Sequence, residues 1–90
     1  MFPEQLDGAK VLYFTHKNEY GLISYTTGET AAHIKYLAIC KYSDSDRYCL
    51  FYCNENKEVE TDSLWDSVGE CMSMADSFYG GKILWIKSDN

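Results

Sequence analysis

Basic side chains are scarce in this 90-residue chain. Eight Lys and Arg stand against fourteen Asp and Glu, a net charge of −6 with a pI near 4.7. That shortage argues against a surface built to neutralise phosphates, hence against a general nucleic-acid binder, and also against a protein held on anionic lipid by Lys and Arg. Residues 1–9 contain no Lys or Arg, so the basic start of a secretory leader is missing, as is its apolar core of about 7–15 residues. The longest apolar run, Tyr48-Cys49-Leu50-Phe51-Tyr52-Cys53, has six residues, against about 20 for a membrane helix. These two shortages lead to the expectation of a cytoplasmic chain with no membrane span. Proline occurs once and glycine six times, with no tract rich in either, no repeat and no linker. One domain over 1–90 is expected, since a chain this short has no room for a second core.

Chemistry-bearing patterns are equally sparse. The two histidines, His16 and His33, have no second His or paired Cys at zinc-ligand spacing. Asn54-x-Asn56-x-Glu58 alternates like a calcium loop but puts Val59 where glycine is required. Gly80-Gly81 follows a helix pattern instead of opening one, which is wrong for phosphate binding, and no serine elbow occurs. No metal and no cofactor are therefore expected. The four cysteines, Cys40, Cys49, Cys53 and Cys71, each sit in an apolar periodic segment and read as small reduced hydrophobes. Cys49 and Cys53, four apart on one strand, lie about 13 Å from each other, too far to bridge. A short hairpin loop would set Cys40 opposite Cys49. As a nucleophile, Cys53 with His16 or His33 as partner is the best the chain offers.

What is abundant is aromatic surface: eight Tyr, four Phe and two Trp, fourteen rings. Their arrangement is mostly strand-like. Residues 1–8 read as a lead-in with one helical turn after Pro3. Strands are predicted over 10–15, with Val11 and Tyr13 on one face, and over 20–26 after the polar turn His16-Lys17-Asn18-Glu19. A break follows at Thr27-Gly28-Glu29-Thr30. The strongest β signal is the pair 34–42 and 48–53 around Ser43-Asp44-Ser45-Asp46-Arg47, a hairpin. Its first strand is apolar on both faces, as a central strand is. A short edge strand over 58–61 with Val59 inward follows.

One helix is predicted. Val68, Cys71, Met72, Ala75, Phe78 and Tyr79 form a single apolar stripe. Ser67 with Glu70 fits a capping box, and Ser63 with Asp66 offers an earlier start that gives a helix of about 63–79. Gly80 ends it, and a last strand covers 82–87. The class is α+β, two-layer: a mostly antiparallel sheet of five or six strands with one principal helix on one face. Because most strands are apolar on both faces, either the sheet curls on itself or a second protein covers it. A homodimer through a sheet face or edge is the second expectation.

Charge is unevenly spread. Residues 44–76 hold nine acids and two bases, a local −7. Asp44, Asp46, Glu58, Glu60, Asp62, Asp66 and Glu70, with Trp65 as aromatic contact, are the candidate partner-binding residues, and the partner expected is a basic protein. Tyr36, Tyr42, Tyr48 and Tyr52 either pack across strands or add to that interface.

The segment Tyr36-Leu37-Ala38-Ile39-Cys40-Lys41-Tyr42, the strand Leu50-Phe51-x-Cys53 and the helix starts Asp62-Ser63 and Asp66-Ser67 together resemble a group of small bacterial single-domain proteins. The resemblance covers residues 36–87 and implies a bacterial origin without supplying a catalytic residue. In size and acidity alone the chain is also similar to immunity proteins that neutralise bacterial toxins. A non-enzymatic interaction module is the function expected. The alternative is a small-molecule binder or minor enzyme with a pocket between sheet and helix, and Cys53 or a histidine near its mouth.

Overall fold

A computed structural model of the chain describes residues 2–24 and 31–89. The break expected at Thr27-Gly28-Glu29-Thr30 and the end of the strand expected over 20–26 lie outside these residues. In order, the elements are β1 (Gln5–Leu6), β2 (Ala9–Phe14), β3 (Gly21–Ile23), β4 (Ala32–Ile34), β5 (Tyr36–Lys41), β6 (Tyr48–Cys53), β7 (Val59–Trp65), α1 (Val68–Tyr79) and β8 (Ile86–Lys87). One sheet runs β1-β2-β5-β6-β7, with β8 pairing β2, and β3 with β4 makes a separate two-stranded sheet. Every pairing is antiparallel, and one helix packs on the larger sheet: the α+β architecture expected.

The β5–β6 hairpin is central. Its register runs from Tyr36 opposite Cys53 to Cys40 opposite Cys49, as the loop length requires. Period-2 alternation then divides its residues between two faces. Leu37, Ile39 and Leu50 pack under the helix against Cys71 and Ala75, with Tyr20, Ile34 and Ile83 completing that layer. Ala38, Cys40, Cys49, Phe51 and Cys53 face the other way and meet Val11, Ala9, Leu6 and Phe2. Phe2 stacks on Phe14 at 4.9 Å and meets Tyr36 edge-on at 5.7 Å. Of the two ways to cover the second face, the chain uses its own N-terminal hairpin: the sheet curls, and none of these five inward residues is more than 2% exposed. β7 is the outer strand at one end of the sheet.

Four local expectations are corrected. The helical turn after Pro3 is instead a hairpin: Asp7 and Gly8 have φ of 50° and 84°, the left-handed pair that a two-residue hairpin turn demands, for which Asp-Gly is a favoured sequence. Tyr42 Oη donates to Asp7 O at 3.0 Å and ties that turn down. In β2 the alternation of Val11 with Tyr13 breaks, because Val11 pairs Cys40 and Tyr13 pairs Ile39. Leu12 is the extra residue of a bulge, which shifts the phase by one, so Val11 and Phe14 join the face of the N-terminal hairpin while Tyr13 turns to the helix. β3 does not return along β2, whose two sides are taken by β5 and by β1 with β8; it pairs β4. Lys35 interrupts the strand expected over 34–42: its N–H donates to Cys53 O at 2.8 Å, and β4 leaves the main sheet there.

The helix begins at Val68, later than residue 63. Ser63, Leu64 and Trp65 pair with Leu50, Cys49 and Tyr48, so sheet hydrogen bonds take residues that a first helical turn would otherwise use. Ser67 is the N-cap, its side chain accepting from Glu70 N–H at 3.1 Å, and Gly80 closes the helix at φ 81°. After it, only Ile86–Lys87 pairs with β2. Ile83, expected in that strand, instead enters the helix-side core with its N–H bound to Asp76 Oδ1 at 3.0 Å.

The Asp7-Gly8 turn supplies a stability test. A Cβ at Gly8 meets only Tyr42 Cε1, at an ordinary 3.7 Å, so the cost of Gly8→Ala is conformational, about 1–2 kcal/mol for an L-residue in the left-handed region. Gly8→Asn, which tolerates that region, is expected to lose less. Urea midpoints of the three proteins check this, and equal midpoints would contradict the turn.

Candidate functional site

The eight candidate residues distribute along β7 and its flanks. Asp44 and Asp46 stand exposed in the β5–β6 loop. They lie at the same end of the sheet as Asp66, because Tyr48 pairs with Trp65. Arg47 links the two segments: its Nε donates to Asp66 Oδ1 at 3.2 Å and its Nη2 to Leu64 O at 3.4 Å. Glu70 follows in the first turn of α1, where a negative charge complements the helix N-terminus. Asp62, opposite Phe51 in mid-strand, is exposed.

Glu58 and Glu60 belong to the other end of the strand, about 20 Å away at ~3.3 Å per residue. There Asn54 organises the turn. Its Nδ2 donates to Glu58 Oε1 at 3.1 Å and Glu60 Oε2 at 2.8 Å, while its Oδ1 accepts from the N–H groups of Asn56 and Glu58. The candidate residues therefore split: Asp44, Asp46, Asp66 and Glu70 gather at one pole, Glu58 and Glu60 hold the opposite one, and Asp62 lies between.

Trp65 sits on strand β7, not on the helix. Its ring packs partly into the helix-side core, and its Nε1 donates to Ser63 Oγ at 2.7 Å. With Glu70, Ser73 and Met74 it lines a surface cleft of about 140 Å³. That volume is below the ~300 Å³ at which small-molecule sites begin, and suits a single side chain. Met74 in its wall is 38% exposed, and Leu64, 46% exposed, lies on the other face of β7 with Asp62. Sequence reasoning missed both. A helix begun at residue 63 would put Leu64 on the buried stripe, whereas the strand exposes it. Met74 does not fall on the stripe from Val68 to Tyr79, and an apolar residue off the stripe of an amphipathic helix points outward; that was the available signal.

The four hairpin tyrosines are all half-buried and go to packing. Tyr52 meets Phe78 edge-on at 4.9 Å, Tyr36 meets Phe2, Tyr42 holds the Asp7 carbonyl, and Tyr48 joins the helix-side core.

The nucleophile reading fails on burial. All four cysteines are free and buried, and Cys53 has no exposed surface. Burial, then the charges of Asp7 and Glu60, push its thiol up to about 12. His16 and His33 are both exposed, the latter with Nδ1 3.5 Å from Glu19 Oε2. The interface between sheet and helix is dry: Leu37, Ile39, Leu50, Cys71 and Ala75 are all fully buried there. Among the described residues Thr15 is the buried polar one, and its Oγ1 accepts from Leu37 N–H at 3.0 Å. Among the described residues no buried side-chain polar atom lacks a partner, no trio of His, Cys, Asp or Glu gathers to hold a metal, and no helix is long and apolar enough to cross a membrane.

Comparison with family models, with curated proteins and with solved structures finds no match.

The buried thiols generate a pH prediction. Cys40 and Cys49 are raised by burial, and Cys53 and Cys71 are raised to about 12 and about 11 from an ordinary 9.0. Above that ordinary value the unfolded chain sheds thiol protons that the folded chain keeps, so stability falls as pH rises. The stabilisation is complete below pH ~8.5 and is lost progressively toward the raised folded values. Urea denaturation at pH 8 and pH 10 is expected to show a lower midpoint at the higher pH. Cys53→Ala, which removes one titrating group, should flatten the slope; an unchanged slope counts against the buried-thiol origin.

Proposed function

We propose that this chain is a non-enzymatic protein-interaction module that receives a basic protein partner at the β7–α1 edge. The support is geometric. On the helix side of β7 exposed Glu70 and Met74 line a cleft with the half-buried Trp65, next to exposed Asp66, and exposed Asp62 and Leu64 carry the strip around the strand onto its other face. Apolar anchors with a charged rim are the usual anatomy of a protein contact. The carboxylates supply long-range attraction and orientation, and the Trp65–Met74 cleft supplies the desolvated contact that slows release. Arg47 already engages Asp66, the kind of contact a partner's arginine would make there. That pair is exposed on both sides, so a partner displacing it gives up little stability in the free chain.

A dry, satisfied core favours this reading over a ligand pocket between sheet and helix, since such a pocket needs convergent polar groups. The β7 edge is the self-association route that would compete with a partner at this surface. Edge-to-edge pairing of two copies about the middle of β7 sets Asp62 near its own copy, and like charges so placed oppose pairing. A basic partner meets no such obstacle. Reduced cysteines fit a reducing compartment such as a bacterial cytoplasm, and neutralising a basic toxin, as immunity proteins do, is one form this function would take.

The test is a pull-down from source cells with mass spectrometry, run in parallel with the D62K/D66K/E70K variant. A basic protein recovered in stoichiometric amount by the parent and lost by the variant is the expected result. Binding of that protein should weaken steeply with salt for the parent and less for the variant. Equal recovery by both proteins sinks the assignment of the surface.

A further inference from the structure

The register sets Lys10 of β2 directly opposite Lys41 of β5, with Gln5 of β1 opposite Lys10 on its other side. Directly opposed residues share one face, with Cβ atoms about 4.5–5.5 Å apart, and like charges in that position destabilise a sheet. The chain carries fourteen carboxylates, so partners are not in short supply. Yet among the described residues the ion pairs are Lys17–Glu55, His33–Glu19, Lys35–Glu19 and Arg47–Asp66, and neither Lys10 nor Lys41 belongs to one. Lys41 Nζ reaches only the Tyr42 carbonyl, at 3.4 Å. The nearby Asp7 carboxylate acts across the sheet end on Cys40, Cys53 and Tyr42.

Both lysines line a cleft of about 480 Å³, whose other walls are Gln5, Gly8, Leu12, Tyr42 and Ser43, with no acidic residue among them. The β2 bulge contributes here, because Leu12 is the inserted residue. The volume lies within the range of small-molecule sites, ~300–1,000 Å³, and exceeds what a bare oxyanion fills.

We propose that this cleft binds a phosphate monoester on a small organic body. The two ammonium groups meet the phosphate dianion, which removes their mutual repulsion on binding; lysine serves phosphate as a compact point charge. Gln5 and Ser43 supply neutral hydrogen bonds, and Leu12 and Tyr42 give the organic body an apolar wall. The site is independent of the acidic β7–α1 surface, so it stands or falls without the partner proposal.

Amide NMR titrations with phenyl phosphate, inorganic phosphate and sodium chloride at matched ionic strength test it. Phenyl phosphate is expected to shift the amides of Gln5, Gly8, Lys10 and Lys41 saturably, with inorganic phosphate at least threefold weaker and chloride without effect. In K10Q/K41Q the affinity should fall at least tenfold, while K82Q/K87Q, which removes the same charge elsewhere, keeps it. Both pairs are surface changes, and thermal melts verify that each variant is folded. Equal affinity for the two phosphates overturns the organic-body assignment. Shifts that do not saturate, or that persist in K10Q/K41Q, overturn the site.

Discussion

The structure depends on a hairpin that is apolar on both faces. Leu37, Ile39 and Leu50 on one side, and Ala38, Cys40, Cys49, Phe51 and Cys53 on the other, are withdrawn from water. A sheet buried on one face needs one covering layer, and this one needs two. With one helix of twelve residues among the described residues, the second cover comes from the chain's own N-terminal hairpin. The left-handed Asp7-Gly8 turn brings Leu6 and Ala9 over the cysteine face, and Phe2 closes its margin against Phe14 and Tyr36. The β2 bulge serves the same end, since only a phase shift lets Val11 and Phe14 share that face while Tyr13 serves the other.

Wherever residue type and period acted locally, the fold was legible. The hairpin register follows from the polar loop between two apolar runs, down to Cys40 facing Cys49. Ser67 and Gly80 mark the helix ends because their caps use only their own neighbours. What was not legible depended on competition between distant segments. Ser63 is as good a helix start as Ser67 by composition, but Ser63, Leu64 and Trp65 find partners on β6, and no local pattern reveals that β6 lacks a second neighbour. The bulge at Leu12 is invisible for the same reason, being set by β5. Asp7-Gly8 is different: its hairpin signal was present in the residues, and Pro3 outweighed it.

The candidate surface was legible as charge and illegible as shape. A local excess of acids marks residues 44–76, but only pairing of Tyr48 with Trp65 brings the Asp44–Asp46 loop beside Asp66, and only the length of β7 sends Glu58 and Glu60 to the far end. Moving Leu64 from helix to strand changes it from a core residue to an exposed one. The same correction brings Trp65 to Met74 at the junction of β7 and α1 and turns Leu64 onto the opposite face of the strand, beside Asp62.

The sheet order keeps the β7 acids apart from the lysine pair. Lys10 and Lys41 lie on β2 and β5, while Asp62 and Asp66 lie on or just beyond β7, two strands from Lys41, with the Asp44–Asp46 loop closer. Adjacent strands are about 4.8 Å apart, so that separation is about 10 Å, and the Debye length is about 8 Å at physiological ionic strength. At that distance Asp62 and Asp66 only modestly reduce the attraction of the lysine pair for an anion, and the lysines only modestly offset the attraction of the β7 acids for a basic partner. A net charge of −6 therefore does not preclude an anion site on this chain; the spacing of the strands permits both signs of recognition on one small domain.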